Sequence, residues 1–289
     1  MVWLLSILAC DDEAAPPHHV TPWAYAEPAG ETAPLDAAAL AASVPGVVDA
    51  LLRIDPLRTH EAFLSALGAF DAVCPVAGDH NGQMYREGDC TAGSGARFYG
   101  YELQTQLSDL QLDFPGVSGF QHAFSWMTGN SRLDLPDGTS LVFGGDSLVS
   151  DRTDEAGDPR YSVYLWGSFR RDGAAAGNDW LDEDLGVEVL LESSGPREAR
   201  VVTWDGGVTG LADDIVAFRL DDLTFDTGSG CASPTSGGLA LYGRDARWVD
   251  VVFDASCDGC ADLVRNGEVV TRACADWSRL ATWTTSPWE

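Results

Sequence analysis

The chain contains no lysine; all 17 of its basic residues are arginine. That absence removes several kinds of chemistry. A Walker-type phosphate loop places a lysine ammonium on the phosphates. A protein kinase needs the lysine of its third strand. Pyridoxal-phosphate enzymes and Schiff-base aldolases use a lysine amine as nucleophile. None of them can be built from these residues. Long apolar runs are scarce too. The one of note, MVWLLSILA at residues 1–9, is far short of the roughly 20 residues that a spanning helix needs. His-Glu-x-x-His, Gly-x-Ser-x-Gly and Gly-x-Gly-x-x-Gly signatures are all missing. Positive charge is in short supply: 45 acidic residues against 17 basic ones leave a formal charge of −28 at pH 7. Such a surface repels nucleic acid and anionic headgroups and favours cationic company.

What is present describes a globular protein. At 289 residues, 45% of them hydrophobic, the chain can bury a sizeable core. It holds seven cysteines. Cys10 stands apart, closing the stretch SILAC at residues 6–10. Ile7, Leu8, Ala9 and Cys10 resemble the lipobox of bacterial lipoproteins, in which the cysteine becomes the acylated N-terminus. The resemblance implies a lipid anchor at Cys10. The positively charged region that opens a signal peptide is missing before Trp3. After Cys10 comes DDEAAPPHHVTPWAYAEPAGETAP, residues 11–34. It is acidic, rich in Pro and Ala and without apolar periodicity, which reads as an extended tether. His18 and His19 fall inside it, and two adjacent histidines do not make a metal site.

The remaining six cysteines imply a disulfide framework in an exported protein. CDGCADLVRNGEVVTRAC, residues 257–274, carries a Cys-x-x-Cys pair. A zinc ribbon would want a second such pair, and a thioredoxin-like motif would open a helix after a strand. A structural staple is the stronger reading. Asn266-Gly267 is a two-residue hairpin signal. Reflection about it places Cys260 opposite Ala273, beside Cys274. Reflection about Asp245, in GRDAR, places Cys231 opposite Gly259, near Cys257. The last four cysteines allow three connectivities; this arithmetic selects Cys231–Cys257 and Cys260–Cys274, with Cys74–Cys90 as the local remainder.

The chain then divides into a signal-like segment (1–9), a lipidated Cys10 with its tether (10–34), and a single mainly-β domain (35–289). Within that domain residues 35–73 read as helical, Pro45 and Gly46 splitting the first stretch into two short helices. From 96 to 275, short runs rich in aromatic and β-branched residues alternate with Gly, Asp and Pro. Asp-Gly at 137–138, 172–173 and 205–206 suggests successive hairpins of a meander. Runs such as SVYLWGSF are apolar on both faces, which suggests strands covered on both sides. The expected fold is an antiparallel β-sandwich or curved half-barrel with a short N-terminal helical segment, stapled by disulfides.

Candidate chemistry is thin. Asp79 beside His80 could orient an imidazole, although a polar turn explains GDHNG better. His60 falls on a polar helix side and His122 among aromatics at a core edge. Asp151, Asp154, Glu155 and Asp158 form an oxygen-rich loop but match no EF-hand spacing, and the acidic run at 179–184 is read the same way. Trp277, Trp283 and Trp288 could stack on sugars, but terminal aromatics more often fasten a chain end. No catalytic residue, metal site or cofactor is expected.

GDCTAGSGARFYGYEL (88–103) and CDGCADLVRNGEVVTRACADWSRLATWTTSPW (257–288) resemble a group of uncharacterised exported lipoproteins of deltaproteobacterial, myxobacterial type. With the lipobox they cover about a fifth of the chain. The resemblance implies a membrane-anchored envelope protein stapled by cysteines, and no reaction. The expected role is structural or ligand-binding, with an envelope polysaccharide or protein as partner, no nucleic acid, and the membrane reached through the lipid alone. Three other readings stand beside it: a secreted hydrolase with a carboxylate site, a lipid-carrying half-barrel, and a calcium-dependent glycan binder.

Overall fold

The computed structural model describes residues 33–53, 63–80, 82–108, 122–153, 159–172, 185–196, 199–211, 214–231 and 233–281. The domain opens with a helix, α1 (Ala37–Arg53), followed by a helical stretch, α2, at 63–67. Among the described residues thirteen strands follow. They are β1 (Val76–His80), β2 (Gln83–Thr91), β3 (Arg97–Ser108), β4 (His122–Asp134), β5 (Ser140–Thr153), β6 (Pro159–Asp172) and β7 (Leu185–Ser194). Then come β8 (Val201–Thr209), β9 (Ile215–Asp226), β10 (Ser236–Gly243), β11 (Trp248–Phe253), β12 (Cys260–Arg265) and β13 (Glu268–Cys274). A short helix, α3 (Ser278–Ala281), ends the described chain.

All 13 strands join one antiparallel sheet in sequence order, β1 to β13. Each strand pairs with the next, so the fold is a meander whose contacts are local in sequence. Alternation assigns the faces. On β8, Val202, Trp204 and Val208 are buried, while Thr203 and Asp205 point the other way and are half-buried. The inner face of the sheet and the helices share one hydrophobic core. Phe63 of α2 packs on Trp126 and Phe143 of β4 and β5. At the other end, α1 lies on β13 and β9, and α3 on β8 and β9. The Trp204 indole donates to the Leu280 carbonyl of α3 at 3.3 Å. The helices thus meet strands from both halves of the sheet, which curls around them as a half-barrel.

Glycines permit that curl. Gly145 and Gly167 face each other across β5 and β6 with φ of +152° and +151°. A Cβ on Gly145 would lie 2.0 Å from the Trp166 carbonyl oxygen. No side chain fits there, so the two backbones can approach and bend sharply.

Several sequence expectations are corrected. Pro45 does not split the first helix, because α1 runs through it. Leu40, Val44, Val47, Val48 and Leu51 are all at most 2% exposed. Even at about 1.5 kcal/mol each, their burial outweighs the roughly 3 kcal/mol that proline costs inside a helix. Strands begin at Val76, before the expected start at residue 96. The polar GDHNG stretch contains a hairpin, since β1 and β2 need only backbone pairing and lie at the end of the sheet. Asp205-Gly206 is no turn; it sits inside β8 at a register shift opposite β9. Finally, β6 is not covered on both sides. Val163 and Leu165 are buried on the inner face, whereas Trp166 on the outer face is 42% exposed.

The start of the helical segment is clasped to the β10–β11 turn. Asp245 is 4% exposed and its carboxylate accepts from the Leu35 backbone N–H at 2.8 Å. Arg265 reaches the same carboxylate at 3.4 Å, so burial of the acid is compensated by both a hydrogen bond and a cation.

Candidate functional site

The six domain cysteines form Cys74–Cys90, Cys231–Cys257 and Cys260–Cys274. The turn arithmetic about Asp245 holds within the β10–β11 ladder, where Leu239 pairs with Val251 and Tyr242 with Trp248; Cys231 lies before β10, outside that ladder, and bridges Cys257. The arithmetic about Asn266-Gly267 was one residue out. Arg265 pairs with Glu268, but a register shift between Leu263 and Val264 moves the ladder, and Cys260 falls directly opposite Cys274. This bulge is what brings the bridging residues face to face. Three disulfides indicate an oxidising, extracytoplasmic environment. Among the described residues no helix is long and apolar enough to cross a membrane.

The other candidates fare as follows. Asp79 accepts from the Gly82 N–H at 3.1 Å and closes the β1–β2 turn. His80 ends β1 and His122 opens β4, apart from each other in the sheet. Trp277 is fully buried; its indole N–H donates to the Gly259 carbonyl at 3.1 Å and its ring meets Phe253 edge-on. It fastens the chain end rather than offering a stacking surface. Asp151 lies on β5. Cys10, His18, His19, His60, Asp154, Glu155, Asp158, the run 179–184, Trp283 and Trp288 lie outside the described residues. Among the described residues no group of three or more His, Cys, Asp or Glu side chains is placed to hold a metal ion.

What the sequence did not reveal is a cleft on the outer face of β9–β11, about 610 Å³ in volume. That lies within the usual range of small-ligand sites, roughly 300–1,000 Å³. Its origin is an inequality of side chains. The middle strand β10 presents Gly238 and Ala240, while its neighbours present Arg219 and Asp221 on β9 and Asp250 and Val252 on β11. Small residues between two strands of larger ones make a trough. Thr235, Ser236 and Asp254 close one end. Outside the lining, beyond Arg219, Trp248 is 38% exposed, its ring 5.8 Å from the Arg219 guanidinium carbon and 5.0 Å from the Tyr242 ring. This is the range of a cation–π contact, which holds the Arg219 head against the aromatic face.

Beside the cleft, Arg272 binds Asp254, Asp258 and Asp262 at 2.8, 3.1 and 3.4 Å. The Ser256 hydroxyl and then Arg272 hold the Asp254 carboxyl down at about 2. A backbone N–H bond from Cys260 likewise lowers Asp258. The network keeps the cleft end next to Cys257 and Cys260 charged and in place.

Carboxyls with raised values lie elsewhere. Burial raises Glu102, which is opposed by Arg86 at 2.9 Å; this pair sits on the inner face. Burial also raises Asp146 on β5, and burial followed by the neighbouring Asp222 raises Asp205 on β8. Tyr164, between the strands of Asp146 and Glu188, is pushed up to about 12 by burial first and then by those two acids.

The arrangement at β9–β11 suits a polyhydroxylated ligand. Carboxylates only accept hydrogen bonds and a guanidinium only donates them, while a sugar hydroxyl does both. The apolar faces of Val252 and Trp248 would take the C–H face of a ring. No protein-family model, curated protein or solved structure matches this chain.

Proposed function

We propose that the chain is an exported cell-envelope lipoprotein, acylated at Cys10, whose outer sheet face binds envelope polysaccharide through the β9–β11 cleft. The observation that carries this reading is the trough over Gly238 and Ala240, walled by Arg219, Asp221 and Asp250 beside the exposed Trp248. Its charge pattern suits hydroxyl groups, and its shape accepts a flat ring. The oxidised cysteines agree with an extracytoplasmic location. The SILAC stretch and acidic tether supply the anchor, since multiple acyl chains exceed the two-signal requirement for stable membrane attachment. The inner face that a lipid carrier would leave open is filled by Leu40, Leu51, Phe63 and Trp277, which favours the outer face as the working surface.

Affinity electrophoresis of the full-length chain tests the binding. Gels would contain laminarin, xylan, galactomannan or glycol chitin. A Cβ on Gly238 meets only the Asp221 Cβ at 3.6 Å, so Gly238→Leu fills the trough without strain at the backbone. Retardation of the wild type that Gly238→Leu loses supports the reading. No retardation in any gel, or equal retardation of both proteins, rejects it. Acylation is read by mass spectrometry of the N-terminal peptide; an unmodified Cys10 rejects the anchor.

A further inference from the structure

We propose that the β9–β11 cleft is one end of a longer track, and that Trp166 and Tyr164 on β6, flanked by Asp146 and Glu188, form a second subsite for a linear polysaccharide lying across the strands. The inference rests on the saccharide reading of the cleft and extends it from a single sugar-sized site to a chain.

The register carries the argument. Asp146 pairs with Trp166, Trp166 with Glu188, and Glu188 with Gly207. Gly207 pairs with Arg219, Arg219 with Ala240, and Ala240 with Asp250. These seven residues form one unbroken line from β5 to β11. Neighbouring strands lie about 4.8 Å apart, so the line runs roughly 29 Å along the sheet. A second line runs beside it through Leu148, Tyr164, Leu190 and Asp205. It ends next to Asp221, a wall of the cleft.

The chemistry repeats along the track. At the cleft, Trp248 stands beside Arg219 and Asp250. At β6, Trp166 is 42% exposed between Asp146 and Glu188, and both acids act on Tyr164. Each place therefore offers an exposed ring with at least one carboxylate near it. Between them the line passes over Gly207, which adds no side chain to obstruct a ligand. Trp166 and Arg219 lie on one line, three strand spacings or about 14 Å apart, with Trp248 to one side of it against Arg219; two such places fit a polymer better than a monosaccharide. Occupying both sites with one molecule makes the second contact intramolecular and raises affinity with chain length.

Titration calorimetry on the full-length chain would use laminari-, xylo-, manno- and chito-oligosaccharides from disaccharide to octasaccharide. For the series that binds, affinity should rise with length by about tenfold or more. Trp166→Ala should flatten that rise while leaving disaccharide binding intact, and Trp166→Phe should restore part of it. Gly238→Leu should remove binding at every length. If disaccharides bind as tightly as octasaccharides and Trp166→Ala changes nothing, the track is wrong and the cleft stands. If no oligosaccharide of any series binds, the saccharide reading of the cleft falls and the track with it. Tight binding of a cationic peptide such as octa-arginine, lost in Trp166→Ala, would make the line a protein contact and overturn the proposal.

Discussion

Replacing both Cys260 and Cys274 by serine should lower the melting temperature by about 5 °C. The bridge closes a loop with a sequence separation of 14. A loop of that length restricts the unfolded chain by about 3 kcal/mol of conformational entropy. The native hairpin should persist in the variant, because β12 and β13 remain paired from Ala261–Ala273 to Arg265–Glu268. The loss is therefore carried chiefly by the unfolded state. With an unfolding entropy of about 2.1 cal/mol/K per residue, 289 residues give about 0.6 kcal/mol/K. Dividing about 3 kcal/mol by that slope yields the shift of about 5 °C. Differential scanning calorimetry of the two oxidised proteins, each with and without a chelator, measures it. The reasoning is refuted by a shift below about 1 °C, or by a wild-type transition that falls on chelation. A Cys257–Cys260 bridge in non-reducing peptide maps would refute it too, and would point to redox chemistry.

Removing the cation of the exposed acidic network should change the acid limb. The Asp254 carboxyl is lowered from 3.8 to about 2, so its contribution is present above 3.8 and is lost as pH falls towards about 2. In Arg272→Ala its NMR titration should move part of the way back up, since Ser256 still donates; an unmoved midpoint rejects the pairing. Glu102 has the opposite sign. Its raised folded value means that its contribution is full below 4.5 and is lost as pH rises through that folded value. Glu102→Gln should gain on the wild type, in urea midpoint, as pH rises from below 4.5 to neutral, and a pH-independent difference would contradict this. Gly145→Ala places a Cβ 2.0 Å from a backbone oxygen and should lose at least about 2 kcal/mol in denaturant unfolding. Gly129→Ala, with its nearest atom at 3.7 Å, should stay within about 1 kcal/mol of the wild type; equal losses would refute the close-approach account of the curl.

Local signals were legible wherever the physics that decides the structure is local. The Asp245 turn set the β10–β11 register because a hairpin's pairing follows from its centre. The same logic brought the cysteines of the C-terminal hairpin within one residue of their partners. The even count outside Cys10 indicated staples, and short runs of aromatic and β-branched residues indicated strands from residue 96 onward. Asn81-Gly82 carries the same hairpin signal as Asn266-Gly267, yet its neighbours are too polar to read as strands without β3 beside them. The exposed ring of Trp166 was hidden for the converse reason. An apolar run shows that one face is buried, and it cannot show whether the other face is covered.

By itself the sequence determined a β-rich domain held by three disulfides, because turn residues, periodicity and cysteine parity act over short separations. The tertiary structure decided two things that no short window contains. The first is the curl that lets a single sheet close over its own helices, which depends on glycines of different strands, such as Gly145 and Gly167, falling opposite one another. The second is the outer line from Asp146 to Asp250. It exists only because six successive registers, with a shift at Gly206 and others near Gly238 and Gly243, align residues more than a hundred positions apart. Each pairing is set by backbone hydrogen bonds and core alternation on the inner face. The outer face inherits its pattern from their sum, and a one-residue slip anywhere in that series would turn Trp166 or Arg219 out of the line.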